Sequence, residues 1–179
     1  MNIPTEQECI EIMKRNHMRE NIVRHSLQVM KVSMAIVDNL KNAALVQADL
    51  VRAGALLHDI AKSRTIDTKE LRHDLIGAQM MRDLGYDNIA LIVESHVVFE
   101  NFLPDKSLEE REIVFYADKR VMHDMIVPLD VRIDDLVKRY GVNERIINLI
   151  TENKNFILQI QKKIQSFLVR DIEDVLSVI

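Results

Sequence analysis

The sequence predicts an almost wholly helical protein, and three observations carry that prediction. Glycine and proline are scarce, with four and three among 179 residues. Apolar residues recur every three or four positions along most of the chain, the period of a helix with one buried face. Strand-like alternation is hard to find. At this length a single domain buries about 70% of the surface of its unfolded chain, so a full core is expected.

The elements follow in order. Thr5 and Glu8 form a capping-box pattern that opens a first helix. Glu20 to about Leu40 reads as a longer one, with Ile22, Val23, Leu27, Met30, Met34 and Val37 inward. Asp49 to Ile60, rich in small and apolar residues, suits a central position. His73 to Leu84 carries Ile76, Met80, Met81 and Leu84 at helical spacing, and Gly85 caps it. Asn88 opens a short helix through Ile89, Ile92 and Val93 to His96. Residues 99–106, with Pro104, form the clearest loop. Ser107 and Glu110 look like a second capping box, for a helix reaching about Val121. Beyond Pro128, three helical segments are expected: Val131 to Tyr140 stopped by Gly141, Asn143 to about Leu168, and Arg170 to Val178. The long one bears an isoleucine-rich stripe that suits packing on the same domain or on a second copy of the chain. Met30, Met34, Met80 and Met81 read as core filling rather than a cofactor box. Residues 1–130 are read as one domain, its core about residues 20–124, and 131–179 as a helical extension packed on it.

Composition narrows the chemistry. Six histidines beside one cysteine favour nitrogen and oxygen metal ligands over thiolate sites. Cys9 has no partner for an internal disulfide, and a buried apolar role suits it better than a nucleophilic one. A formal charge of −4 and 4% aromatic residues speak against a dedicated nucleic-acid binder. No stretch approaches the ~18 apolar residues of a membrane span, and the expected setting is the cytoplasm.

The informative residues are His25, His58, Asp59, His73, His96 and Asp118. Under the helix assignment they come from five different helices, the way a bundle builds a metal centre. His58 and Asp59 follow an apolar run directly, where an unpaired charge would be costly. Four imidazoles and two carboxylates suffice for two divalent metals, with Asp59 able to bridge them. Iron, manganese, cobalt or zinc suits such ligands better than magnesium. Lys62, four residues after His58, would face the same side if the helix continued, and could bind a phosphate oxygen. Arg24, Arg64, Lys119 and Arg120 are weaker candidates for further phosphates. His17 and His123 read as surface or capping residues, and Tyr86, Phe99 and Phe102 as packing residues.

These residues resemble the HD-domain metal-dependent phosphohydrolases, whose signature is H…HD…D. The match lies in His25 of RHSLQV, His58 and Asp59 of GALLHDIAK, and Asp118 of FYADK, and it covers about residues 20 to 124. HDLIGAQMM, beginning at His73, and IVESH, ending at His96, resemble the segments that bring further histidines in the binuclear members. The layout is similar to that of bacterial HD hydrolases that split diadenosine tetraphosphate symmetrically. By that resemblance His25, His58, Asp59 and Asp118 hold one metal, and Asp59, His73 and His96 the second. Asp59 and Lys62 then act on the substrate. Val97 stands where the cyclic-dinucleotide branch has a second histidine, so that branch is not supported. The resemblance implies a metal-dependent phosphohydrolase that attacks a nucleotide or related small phosphate compound with activated water. A di-iron oxygenase and a non-catalytic nucleotide-binding regulator remain alternatives.

Overall fold

The computed structural model describes residues 2–179. Thr5 caps α1 (Glu6–Arg15) as the capping box requires: its hydroxyl accepts from the Glu8 amide, and the Glu8 carboxylate accepts from the Thr5 amide at 2.7 Å. α2 (Glu20–Asp38) runs through the middle of the bundle against α3 (Ala48–Leu57) and α7 (Glu110–Arg120). Its buried face is Ile22, Val29, Val32, Ile36 and Val37, with Ser26 and Ser33 between them. Val23, Leu27, Met30 and Met34, expected inward, lie at the partly buried margin, so the stripe is rotated toward the smaller residues. Small side chains let α2 approach its neighbours closely. α3 is likewise tight: a Cβ on Gly54 would meet Ile92 Cδ1 at 2.6 Å, which is why α6 (Asp87–Ser95) can lie against it.

The helix expected through Ile60 ends at Leu57. His58 Nδ1 donates to the Ala55 carbonyl at 2.7 Å, a carbonyl that a continuing helix would offer to the Asp59 amide. The amides of Ile60 and Lys62 instead bond back three residues, to Leu57 and Asp59. This tight turn leads into α4 (Lys62–Thr68), which the hydrophobic pattern did not announce. α5 (His73–Asp83) follows, and Gly85 beyond it takes φ +79, the left-handed conformation that ends helices well. α6 and α5 pack closely. The cap of α7 lies two residues later than Ser107 and Glu110 suggest: the Glu112 carboxylate accepts from the Glu109 amide at 2.9 Å.

After α7 comes a small hairpin with no counterpart among the expected elements, β1 (Val121–Met122) and β2 (Met125–Ile126), paired antiparallel with Val121 opposite Ile126. His123 turns it at φ +58. Pro128 then precedes α8 (Leu129–Tyr140), Asn143 caps α9 (Glu144–Phe167), and α10 (Ile172–Leu176) is shorter than expected. Only the second half of α9 is buried, through Ile157, Ile160, Lys163 and Ile164, and it packs on α7. Phe99 and Phe102 are partly buried and pack against the core there, clustered with Phe115 and Phe156. Lys163 donates to Glu112 at 2.7 Å and to the Leu103 carbonyl at 2.9 Å, tying the loop of residues 99–106 to α9. The chain after α9 returns to the end of α2, where the Lys41 amide bonds to Phe167 and the Val169 amide to Asn39. Cys9 is fully buried, and burial pushes its thiol up to about 12, so it packs as an apolar group. Among the described residues, no helix is long and apolar enough to cross a membrane.

Candidate metal centre

Five elements deliver the six ligand candidates to one buried place. His25 comes from α2, His58 and Asp59 from the turn after α3, His73 from the first residue of α5, His96 from the residue after α6, and Asp118 from α7. They form two groups within coordination reach: His25, His58 and Asp118, and Asp59, His73 and His96. Three of the four rings are anchored the same way. His25 Nδ1 lies 2.8 Å from the His123 carbonyl, His58 Nδ1 2.7 Å from Ala55, and His96 Nδ1 2.5 Å from Val93. A carbonyl only accepts, so each of these Nδ1 atoms carries a hydrogen and each ring turns its Nε2 inward. Such anchoring is the usual way a protein orients imidazole ligands.

Those Nε2 atoms face carboxylate oxygens and one another. His25 Nε2 is 3.0 Å from Asp118 Oδ1, and His58 Nε2 is 3.6 Å from Asp59 Oδ2. Asp59 Oδ1 is 3.2 Å from His73 Nε2 and 3.3 Å from His96 Nε2, and those two nitrogens are 3.1 Å apart. Each such contact needs a proton or a metal cation between its two atoms. Among the described residues, His58 Nε2 and Asp59 Oδ1 are buried without a hydrogen-bond partner. Ligands about 2.0–2.3 Å from one ion sit about 3 Å from each other, so the donor set and spacing fit divalent cations. Asp59 presents Oδ2 toward one group and Oδ1 toward the other, the disposition of a bridging carboxylate.

Protonation follows the same logic. Burial lowers the His58 pKa from 6.5 to about 3, which keeps its lone pair free. Burial works against the charge of Asp59, yet Lys62 holds its carboxyl well below the usual range. Asp118 is treated likewise, burial being outweighed by Lys119 and by His25. Lys62 Nζ lies 2.7 Å from Asp59 Oδ2; burial opposes its charge, but Asp59 and Asp118 raise its pKa and keep it a cation.

Lys62 therefore reaches the site from the start of α4, across a turn, and not along a helix shared with His58. Two expectations for substrate contacts give way. Arg120 is buried and already engaged, donating to Glu173 through both terminal nitrogens at 2.7 and 2.8 Å, to Tyr116 at 2.6 Å and to the Val127 carbonyl at 3.0 Å. It ties α10 to α7. Lys119 donates to Asp118 at 2.6 Å and to the His96 carbonyl at 2.8 Å, so it braces two ligand-bearing segments from behind. Arg24 stands at the cleft edge, paired with Glu20 and Asp124, and Arg64 pairs with Glu70 on the exposed side of α4. The cleft that reaches Asp59 and His25 has a volume of about 260 Å³ and is lined also by Lys62, Arg132 and Arg139. The two arginines on α8 and the carbonyl of His123 escaped the sequence reading, because neither belongs to a motif.

Several known proteins are similar to this chain in sequence. A protein of Methanocaldococcus jannaschii named only as uncharacterized is 35% identical, covering 84% of this chain and 98% of that protein. Two proteins named tRNA (cytidine(56)-2'-O)-methyltransferase are also similar: that of Picrophilus torridus is 29% identical, and that of Thermoplasma volcanium 28%. The matches cover 97% and 76% of this chain but only 50% and 42% of those longer proteins. No solved structure gives a significant match. The family model of the HD domain matches residues 22–123, the span that carries all six ligand candidates, and the chain belongs to the HD-domain family.

Proposed function

We propose that this chain is a metal-dependent phosphohydrolase that cleaves a phosphoester or phosphoanhydride of a nucleotide. The observation that carries the reading is Asp59, a buried carboxylate aimed with both oxygens at two imidazole-rich groups whose Nε2 atoms already point inward. Two divalent cations held there supply neutralisation of phosphate charge and a water acidic enough to attack near neutral pH.

The chain's own residues do the rest. His25, His58 and Asp118 fix one cation and His73 and His96 the other, with Asp59 shared. Backbone carbonyls hold the rings, so little reorganisation accompanies binding. Lys62, a cation at the cleft side of Asp59, is placed to meet a nonbridging phosphate oxygen and hold the reacting group over the carboxylate. Dinucleoside polyphosphates are the most specific substrates in this reading. The methyltransferase name belongs to proteins about twice as long, and this chain matches only half or less of each.

The test is metal analysis of the purified chain followed by a nucleotide panel with manganese, cobalt, iron or zinc. Release of phosphate or mononucleotide that disappears in His58→Ala and Asp59→Ala supports the reading. Turnover surviving in either variant overturns the site, and iron-dependent oxygen uptake without phosphate release moves the protein to oxidative chemistry.

A further inference from the structure

α8 lies outside the matched HD span, yet its side chains form part of the metal cleft. Arg132, Asp135 and Arg139 fall three and four residues apart, so they share one face of the helix. Asp135 takes a guanidinium on each oxygen: Arg132 Nη1 donates to Oδ2 at 3.0 Å, and Arg139 Nε to Oδ1 at 2.8 Å. The far side of Arg139 is fixed too, with Nη2 donating to His123 Nε2 at 2.9 Å. One carboxylate thus orients two cations, leaving net positive charge on this wall.

Arg132 supplies the observation that points to a ligand. Its side chain is only 12% exposed, and its Nε is buried with no acceptor among the described residues. Leaving a buried charged donor unpaired costs about 1–3 kcal/mol or more. Arg132 also lines the cleft, so an anion entering there meets a guanidinium that is already partly desolvated and oriented by Asp135. Lys62 and Arg24 line the same cleft, Arg24 paired with Asp124, so four cations surround space next to the proposed metal groups. A single phosphate monoester held over Asp59 and Lys62 has no further anionic group to offer the α8 arginines.

We propose that Arg132 and Arg139, oriented by Asp135, bind a phosphoryl group beyond the one attacked, so the substrate carries a chain of at least two phosphoryl groups. The assignment rests on the phosphohydrolase reading for its place in the reaction, but its binding site stands on these side chains alone. Planar guanidinium forks suit this task because each can take two phosphate oxygens at once. Asp135 is then a positioning residue and the two arginines substrate-binding residues.

Calorimetry on the full-length chain, with inorganic tripolyphosphate and orthophosphate as probes, tests this apart from catalysis. The wild type is expected to bind tripolyphosphate at least tenfold more tightly than orthophosphate. Arg132→Gln and Arg139→Gln each weaken tripolyphosphate binding about tenfold or more, and Arg139→Lys recovers part of the loss. Circular dichroism and thermal melting verify that each variant is folded. With nucleoside polyphosphates, the glutamine variants raise KM much more than they lower kcat. Equal affinity of the wild type for the two probes, or unchanged tripolyphosphate binding in both folded variants, overturns the assignment. Arginine-dependent tripolyphosphate binding without turnover of any phosphate compound overturns the catalytic reading and leaves the anion site standing. Turnover with unaltered KM in the variants does the reverse.

Discussion

The backbone carbonyl of His123 accepts the Nδ1 hydrogen of His25 at 2.8 Å, across 98 residues of sequence. His123 turns the short hairpin at φ +58, a conformation that costs a β-branched residue most. The hairpin therefore orients a ligand candidate through its main chain. His123→Gly keeps the carbonyl and relieves the backbone, so metal affinity should be retained. His123→Val should displace the turn and weaken metal binding about 10- to 100-fold, as loss of a ligand's anchor usually does. Competition titration with a chromogenic chelator measures both, and equal affinities would refute the link.

Asp59→Asn should remove metal binding at both groups, because Asp59 turns Oδ2 toward His25 and His58 and Oδ1 toward His73 and His96. Divalent metal stabilises the wild type by mass action, about 2.7 kcal/mol at one hundred times Kd. That metal-induced rise in Tm should vanish in the variant, and hydrolysis should fall to background. Thermal melting with and without manganese is sufficient, and a rise as large as that of the wild type would count against a shared carboxylate.

Acid should destabilise the metal-free chain in a defined window. Folding buries His58 and lowers its pKa from 6.5 to about 3. Between those values the unfolded chain takes up a proton that the folded chain refuses. This contribution is complete above 6.5 and is lost as pH falls toward 3, with a slope of at most about 1.4 kcal/mol per pH unit. Asp59 and Asp118, whose folded pKa values are depressed, lose their contributions lower still, below their ordinary 3.8. Urea unfolding in EDTA at several pH values measures the slope, and His58→Gln should flatten it between pH 6.5 and 4. An unchanged slope would show that another group controls it.

Lys163 and Glu112 form an ion pair with both side chains 2% exposed. Lys163→Met leaves a buried carboxylate without its partner and should cost about 3–5 kcal/mol. Pairing it with Glu112→Leu should recover most of that loss, since no lone charge then remains. Denaturant unfolding of the two singles and the double closes the cycle, and a double mutant as unstable as the sum of the singles would argue against coupling.

Much of the scaffold was legible because its signals are local. The Thr5 capping box, the stop at Gly85, the break at Pro128 and the Asn143 cap depend on residues within one turn of each other. The misses share a different cause. The helix after Asp49 breaks at His58 because a ring competes for the Ala55 carbonyl, and α4 and the hairpin are too short for hydrophobic period to reveal them. Arg120 looked like a phosphate ligand because its partner Glu173 lies 53 residues away.

By itself, then, the sequence determined a helical chain and a set of ligand types, since helical period and donor chemistry are properties of single residues and near neighbours. It also determined that His58 and Asp59 would directly follow an apolar run, where charge needs compensation. Only the tertiary structure decided which atoms face one another. It turned three Nε2 atoms inward through backbone carbonyls, set Asp59 between two groups, retired Lys119 and Arg120 into braces, and brought Arg132 and Arg139 to the cleft. Those outcomes depend on packing between helices distant in sequence, where a rotation of one helix exchanges a solvated side chain for a buried one.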